Sequence, residues 1–189
     1  KKVWDAEIGT GFASVAVADG KVYSSGVKDR KLLVTALNEK DGKQLWQVEV
    51  DGDSGGGGHL GSRSTPTIDG ERLYILSEQG KLSCLKVADG AEVWSKNILK
   101  TYGAPNITWR LAESVLVDGD RILCSPGGRA SMVALNKMTG EEVWTSEPVE
   151  EKTSYGSVTI IETGALRQAI GFSASHIFAV NADTGEFLW

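Results

Sequence analysis

Apolar positions in this chain come in short runs broken by Asp-Gly or Thr-Gly pairs, and no stretch carries the three-to-four spacing of an amphipathic helix. The runs recur in a fixed order. A Ser/Thr-led stretch comes first: Ser14–Val17, Thr65–Ile68, Ser114–Val117 and Ser157–Ile160. A turn pair follows, at Asp19-Gly20, Asp69-Gly70, Asp118-Gly119 and, in a longer connection, Thr163-Gly164. These dipeptides tolerate positive φ and predict tight hairpins. A second run holds Val22-Tyr23, Leu73-Tyr74, Ile122-Leu123 or Gln168–Ile170. The third carries an Ala-Leu-Asn-like element, and the fourth carries a tryptophan. Four strands per repeat and no helix predict an all-β chain.

The tryptophans set the period. Trp4, Trp46, Trp94, Trp144 and Trp189 are separated by 42, 48, 50 and 45 residues. The last four each close an eleven-residue unit, such as Ala134-Leu-Asn-Lys-Met-Thr-Gly-Glu-Glu-Val-Trp144, with Gly four places before Trp and Asp or Thr before that Gly. A strand-built period in the forties points to a propeller or another stacked β array. The recurring Gly supplies positive φ in the hairpin between the third and fourth strands. Each indole is expected to lie against the adjacent blade and give its N–H to a backbone acceptor there, a structural docking role.

Composition narrows the partners. A net charge of −5 disfavours a nucleic-acid backbone, which calls for a basic face. No apolar run reaches the roughly 18 residues of a membrane span. Cys84 occupies the slot filled by Ala36, Ala134 and Ala179 and reads as a small core residue; Cys124 lies in an apolar strand. Two isolated thiols are expected, with a bridge across neighbouring blades as the rival.

The Ala-x-Asn/Asp-x-x-Thr/Asp-Gly-x-x-x-Trp pattern resembles the tryptophan-docking repeat of quinoprotein-type, PQQ-like β-propellers, and it covers the whole chain. Arg63–Gly70, Ala112–Gly119 and Ser125–Gly128 are similar to bacterial extracytoplasmic, BamB-like repeat proteins. The resemblance implies a PQQ-like propeller of seven or eight blades, of which residues 1–189 supply four four-stranded ones. It also implies a periplasmic or otherwise extracytoplasmic location. The repeats end near Trp46, Trp94, Trp144 and Trp189, and residues 2–8 read as a leading outer strand. Closing four blades into a ring would set two Trp-bearing strands against one place. A piece of a larger ring, or half of one completed by a second copy, is therefore expected, with self-association through open blade edges.

Chemistry is sparse. Loops joining strand four to the next strand one share a face with those joining strands two and three, and function concentrates in such loops when a rigid scaffold holds them. On that face the candidates for ligand or partner binding are Arg63, Trp109, Arg110, Glu113, Arg129 and Tyr155. Trp109 beside a charged pair can stack on a planar ligand or peptide, or simply plug its loop. Arg63 and Arg129 are placed to reach an anionic group, or to sit solvated or ion-paired. Gly56, Gly58 and Gly61 match a G-x-G-x-x-G spacing but no helix follows. Asp51 and Asp53 begin like a calcium loop that Gly55 and Ser62 fail to complete, and His59 lacks a second imidazole. No metal site is expected. G-x-S-x-G, H-E-x-x-H and Walker signatures are absent. The expected function is a non-enzymatic binding or scaffold propeller, without cofactor, docking a protein, peptide or glycan. The alternative is a segment of a pyrroloquinoline-quinone dehydrogenase with calcium. Its adjacent-cysteine disulfide is missing here, and no Asp matches its catalytic base.

Overall fold

A computed structural model describes residues 1–52, 54 and 61–189. Four antiparallel sheets follow one another along the chain. The first contains β1 (Ala16–Ala18), β2 (Lys21–Lys28), β3 (Lys31–Asn38) and β4 (Gln44–Asp51). The second contains β5 (Thr67–Asp69), β6 (Arg72–Leu76), β7 (Lys81–Lys86) and β8 (Glu92–Asn97), followed by the helix α1 (Ile98–Tyr102). The third contains β9 (Leu116–Asp118), β10 (Arg121–Cys124), β11 (Val133–Asn136) and β12 (Glu142–Thr145). The fourth contains β13 (Thr159–Thr163), β14 (Leu166–Phe172) and β15 (Ile177–Asn181). Each is a simple meander, strand pairing with the next in sequence. The fourth blade has three full strands. Its outer position is begun by the last residues, where Leu188 donates to the Ala179 carbonyl and the Ala179 amide donates to Trp189.

The core is not inside the sheets but between them. Tyr23, Val34 and Ala36 of the first blade pack with Leu73, Ile75 and Leu85 of the second. Tyr74, Leu82 and Cys84 of the second pack with Ile122, Val133 and Leu135 of the third. Leu123, Met132 and Ala134 of the third pack with Ala169, Phe178 and Val180 of the fourth. Alternate residues of a middle strand thus face opposite neighbours, which is why Leu73–Leu76 is a continuous apolar run with both faces buried. This is the face-to-face stacking of a β-propeller.

The indoles make the seams. Trp46 Nε1 donates to the Val87 carbonyl at 3.0 Å, and Trp94 Nε1 to the Lys137 carbonyl at 3.1 Å. That same carbonyl accepts the Tyr74 hydroxyl. The repeat glycine has a second duty beyond its backbone: each lies against the indole of the preceding blade. A Cβ on Gly90 would stand 2.9 Å from the Trp46 ring, on Gly140 2.7 Å from Trp94, and on Gly185 2.5 Å from Trp144. All three have φ above +70°. Opposite each indole the third strand places a small residue, Ala36, Cys84 or Ala134. Cys84 is therefore dictated by the ring across from it. Both cysteines are buried free thiols.

Several expectations need adjustment. Residues 2–8 form no strand ladder, yet Trp4 docks as Trp46 and Trp94 do, its ring against Gly42 and its Nε1 on the Glu39 carbonyl at 2.8 Å. Trp144 lies on Gly185, but its buried Nε1 has no acceptor among the described residues. Trp189 is 53% exposed and donates to its own blade's Gln168, so it docks on no neighbour among the described residues. The chain is not wholly without helix: α1 is a five-residue turn capped by the Asn97 side chain and ended by Gly103 at φ +66°. It is too short for any periodic signal. No helix among the described residues is long and apolar enough to cross a membrane. Trp46, Trp94 and Trp144 lie within β4, β8 and β12, each of which continues past its tryptophan.

Candidate functional site

The inner strands are joined by a relay that the sequence shows only as a preference for hydroxyls. The Ser14 amide donates to Thr65 Oγ1 at 3.0 Å, the Thr65 amide to Ser114 Oγ at 2.9 Å, and the Ser114 amide to Ser157 Oγ at 3.0 Å. One blade's backbone is thereby tied to the next blade's side chain three times over. The relay fixes what precedes it. Phe12, Arg63, Ala112 and Tyr155 each stand two places before a relay hydroxyl, and these equivalent positions of four blades line one depression of about 520 Å³ together with Trp109.

Loops hold its walls. Trp109 and Tyr155 meet with ring centroids 5.8 Å apart and planes tilted by 32°. The Tyr155 hydroxyl accepts the Trp109 amide at 3.3 Å. The loop carrying Trp109 is pinned from below: Asn106 donates to the Glu78 carbonyl, and Ile107 and Leu111 are buried against α1 and the second and third blades. Arg110 follows with φ +69°, an uncommon conformation for a side-chain-bearing residue, its amide held by the Ile107 carbonyl. Phe12, Trp109 and Tyr155 keep 64, 52 and 42% of their surface exposed. Single exposed apolar residues are ordinary; three rings around one hollow are not.

Arg63 lines the depression but does not wait there for an anion. Its side chain is nearly buried, its Nη1 lies 3.2 Å from the buried Glu78 carboxylate and 2.9 Å from the Gly61 carbonyl, and its guanidinium sits 5.8 Å from the Phe12 ring centroid. It serves as a wall. Arg129 is elsewhere: its guanidinium lies over Tyr102 at 5.5 Å and its amide donates to the Tyr102 carbonyl. Glu113 is buried, with its side chain turned away from the depression's lining. Oε2 accepts the Ser125 amide at 2.9 Å, and Oε1 has no hydrogen-bond partner among the described residues. Burial pushes its pKa up to about 8 against the pull of the Ser125 and Val158 amides, which keeps the carboxyl protonated at neutral pH.

Of the six sequence candidates, the fold gathers Arg63, Trp109 and Tyr155, sets Arg110 next to them in the chain, and separates Glu113 and Arg129. Phe12 and Ala112 were missed. Their signal was positional, two places before a hydroxyl, and has no meaning until the relay is known. His59, Gly56 and Gly58 lie outside the described residues.

A second polar cluster holds the loops of the fourth blade. Glu151 accepts from the Ser173 and Ser175 hydroxyls, the Ser175 amide and His176 Nδ1, and these bonds draw its pKa down to about 2. Ser175 Oγ also lies 3.4 Å from His176 Nδ1, but both serine hydroxyls and the imidazole sit closer to the Glu151 carboxylate, so the group reads as a loop clamp.

These features define a tryptophan-docked β-propeller with an aromatic-rimmed mouth on its loop face. A family profile described as outer membrane protein assembly factor BamB matches residues 1–114 and 30–189, and the chain belongs to that family. The BamB of Yersinia pestis is 25% identical over all of this chain and 49% of its own length. The chain spans about half the length of the first curated relatives it matches. Among solved structures, BamB from Moraxella catarrhalis superposes with TM-score 0.59 at 20% identity, covering 96% of this chain and 64% of that one. A quinohemoprotein alcohol dehydrogenase from Pseudomonas putida HK5 superposes with TM-score 0.71 at 17% identity, covering 99% and 35%. At these identities the structures speak for the fold alone.

The dehydrogenase likeness raises the question of a quinone and its calcium. Among the described residues no three His, Cys, Asp or Glu side chains gather to hold a metal. The one charged residue lining the depression is already paired with Glu78. The cysteines sit buried in different blades. The described residues do not fit that cofactor.

Proposed function

We infer that this chain is a non-enzymatic, extracytoplasmic docking segment of a larger propeller of seven or eight blades, binding a protein or peptide on its loop face in the service of outer-membrane protein assembly. The observation that carries the reading is the depression where four blades contribute equivalent positions and three aromatic rings stay exposed on a stitched frame. The names of the relatives support the assembly context and a periplasmic site of action. Rigid frames with adaptable rims suit recognition, because little ordering is left to be done on binding.

The test is recovery of partners from a periplasmic extract by the immobilised protein, its Trp109→Ala variant and its Arg110→Ala variant. Loss of a defined partner with Trp109→Ala, at unchanged melting temperature, is the expected result. Equal recovery by all three removes the mouth from the docking surface. Titration with pyrroloquinoline quinone and calcium, followed by quinone absorbance, is expected to give no change; saturable binding would overturn the non-enzymatic reading.

A further inference from the structure

The geometry points to a subsite at the mouth in which Phe12, Trp109 and Tyr155 receive one uncharged aromatic side chain from an extended segment of the partner, above Ala112 and beside Arg63. The inference rests on the docking reading and names the chemistry the mouth selects.

Three observations carry it. Blade three contributes only the Ala112 methyl where its neighbours contribute Arg63 and Tyr155, so the floor is open at that position. The rings around the opening are exposed, and the one resolved pair already has the tilted arrangement at 5.8 Å that aromatic contacts favour, leaving faces for a third ring. Charge decides the rest. Among the described residues the lining holds one ionic residue, Arg63, whose guanidinium is engaged by a buried carboxylate, a carbonyl and Phe12. Among those described lining residues a ligand carboxylate meets no uncommitted cation, and a ligand cation meets no carboxylate. The residue after Ala112, Glu113, is buried, and burial raises its carboxyl pKa to about 8. Desolvating a charged side chain here would go uncompensated, while a phenyl ring, or an indole that keeps its N–H at the open rim, buries only apolar surface. The subsite is also preformed, because the relay through Ser14, Thr65, Ser114 and Ser157, each two places after a lining residue, ties the four segments together.

The probes are N-acetyl-tryptophanamide, N-acetyl-phenylalaninamide, N-acetyl-glutamic acid amide and methyl glucoside, added at millimolar concentration to isotope-labelled intact protein and followed by NMR. The aromatic amides are expected to shift the Trp109 indole N–H and the Ala112 amide saturably, and the glutamate amide and glucoside to shift neither. Trp109→Ala and Tyr155→Ala, both at exposed positions, are expected to weaken binding at the Ala112 amide roughly tenfold. Tyr155→Phe, which keeps the ring and drops only the hydroxyl, is expected to retain it. Absence of any shift from the aromatic amides, equal binding of the glutamate amide, or binding of the glucoside in their place each overturns the subsite. A partner recovered through Trp109 with no response to the amides overturns the subsite and not the docking reading; amide binding without any Trp109-dependent partner does the reverse.

Discussion

At the scale of single residues, the repeat glycines divide into two kinds that the sequence does not distinguish. Gly119 ends a tight hairpin at φ +57°, with nothing within 4 Å of where a Cβ would stand. Gly140 has φ +72° and would drive a Cβ to 2.7 Å from Trp94 Cε3. Both pay the left-handed penalty on substitution, about 1–2 kcal/mol. Only Gly140 adds overpacking against a ring, typically about 1–3 kcal/mol more. Gly119→Ala is accordingly expected to cost roughly 1–2 kcal/mol and Gly140→Ala roughly 2–5, read from urea midpoints. Equal costs would show that the indole yields. The pattern Gly-x-x-x-Trp was legible in the chain, but only half of its cause was. A turn needs positive φ; that an indole from another blade lies on the same atom is long-range information. Glu113 misled for a similar reason. Beside Trp109 and Arg110 it reads as a rim carboxylate, and nothing local tells that its side chain turns under the floor.

At the scale of elements, each fourth strand carries the same irregularity. The register slips between Ala36 and Leu37, Cys84 and Leu85, and Ala134 and Leu135, skipping Leu45, Val93 and Val143 on the partner strand. A bulge there brings the indole onto the seam and leaves the skipped aliphatic residue outside, where all three are exposed. The first strands begin two residues later than the Ser/Thr-led runs suggest, because the leading hydroxyl belongs to the relay and not to its own sheet. Strand order, and the four strands of each of the first three blades, were readable from the apolar runs and turn pairs. The relay was not, since a serine before an apolar run is equally a loop residue. Ser114→Ala leaves the Thr65 amide without its acceptor, at an expected cost of about 1–3 kcal/mol. Ser114→Thr is expected to recover most of it, and a melting series of the three proteins checks both.

At the scale of the whole molecule, Glu113 gives the fold a pH dependence of definite sign. Its carboxyl titrates near the ordinary 4.5 when unfolded and at about 8 when folded. Below the lower value both states hold the proton and nothing is lost. Between them the unfolded chain ionises while the folded chain stays protonated, so stability falls as pH rises, and the loss is complete above the upper value. Glu113→Gln, which cannot ionise, is expected to melt close to wild type near pH 5 and several degrees above it near pH 8. A constant difference across that range would place the titration elsewhere. The seams between blades have a wider consequence. Each is assembled from like parts: an indole, a facing glycine, and a hydroxyl bonded to the preceding blade's backbone, with a carbonyl acceptor for the Trp46 and Trp94 indoles. Insertion or excision of one complete repeat would leave each surviving junction with a compatible partner, so lineages can alter the circumference of such a wheel in whole units without inventing new chemistry. A cut within a repeat has no such licence, because it strips two hydrophobic layers at once.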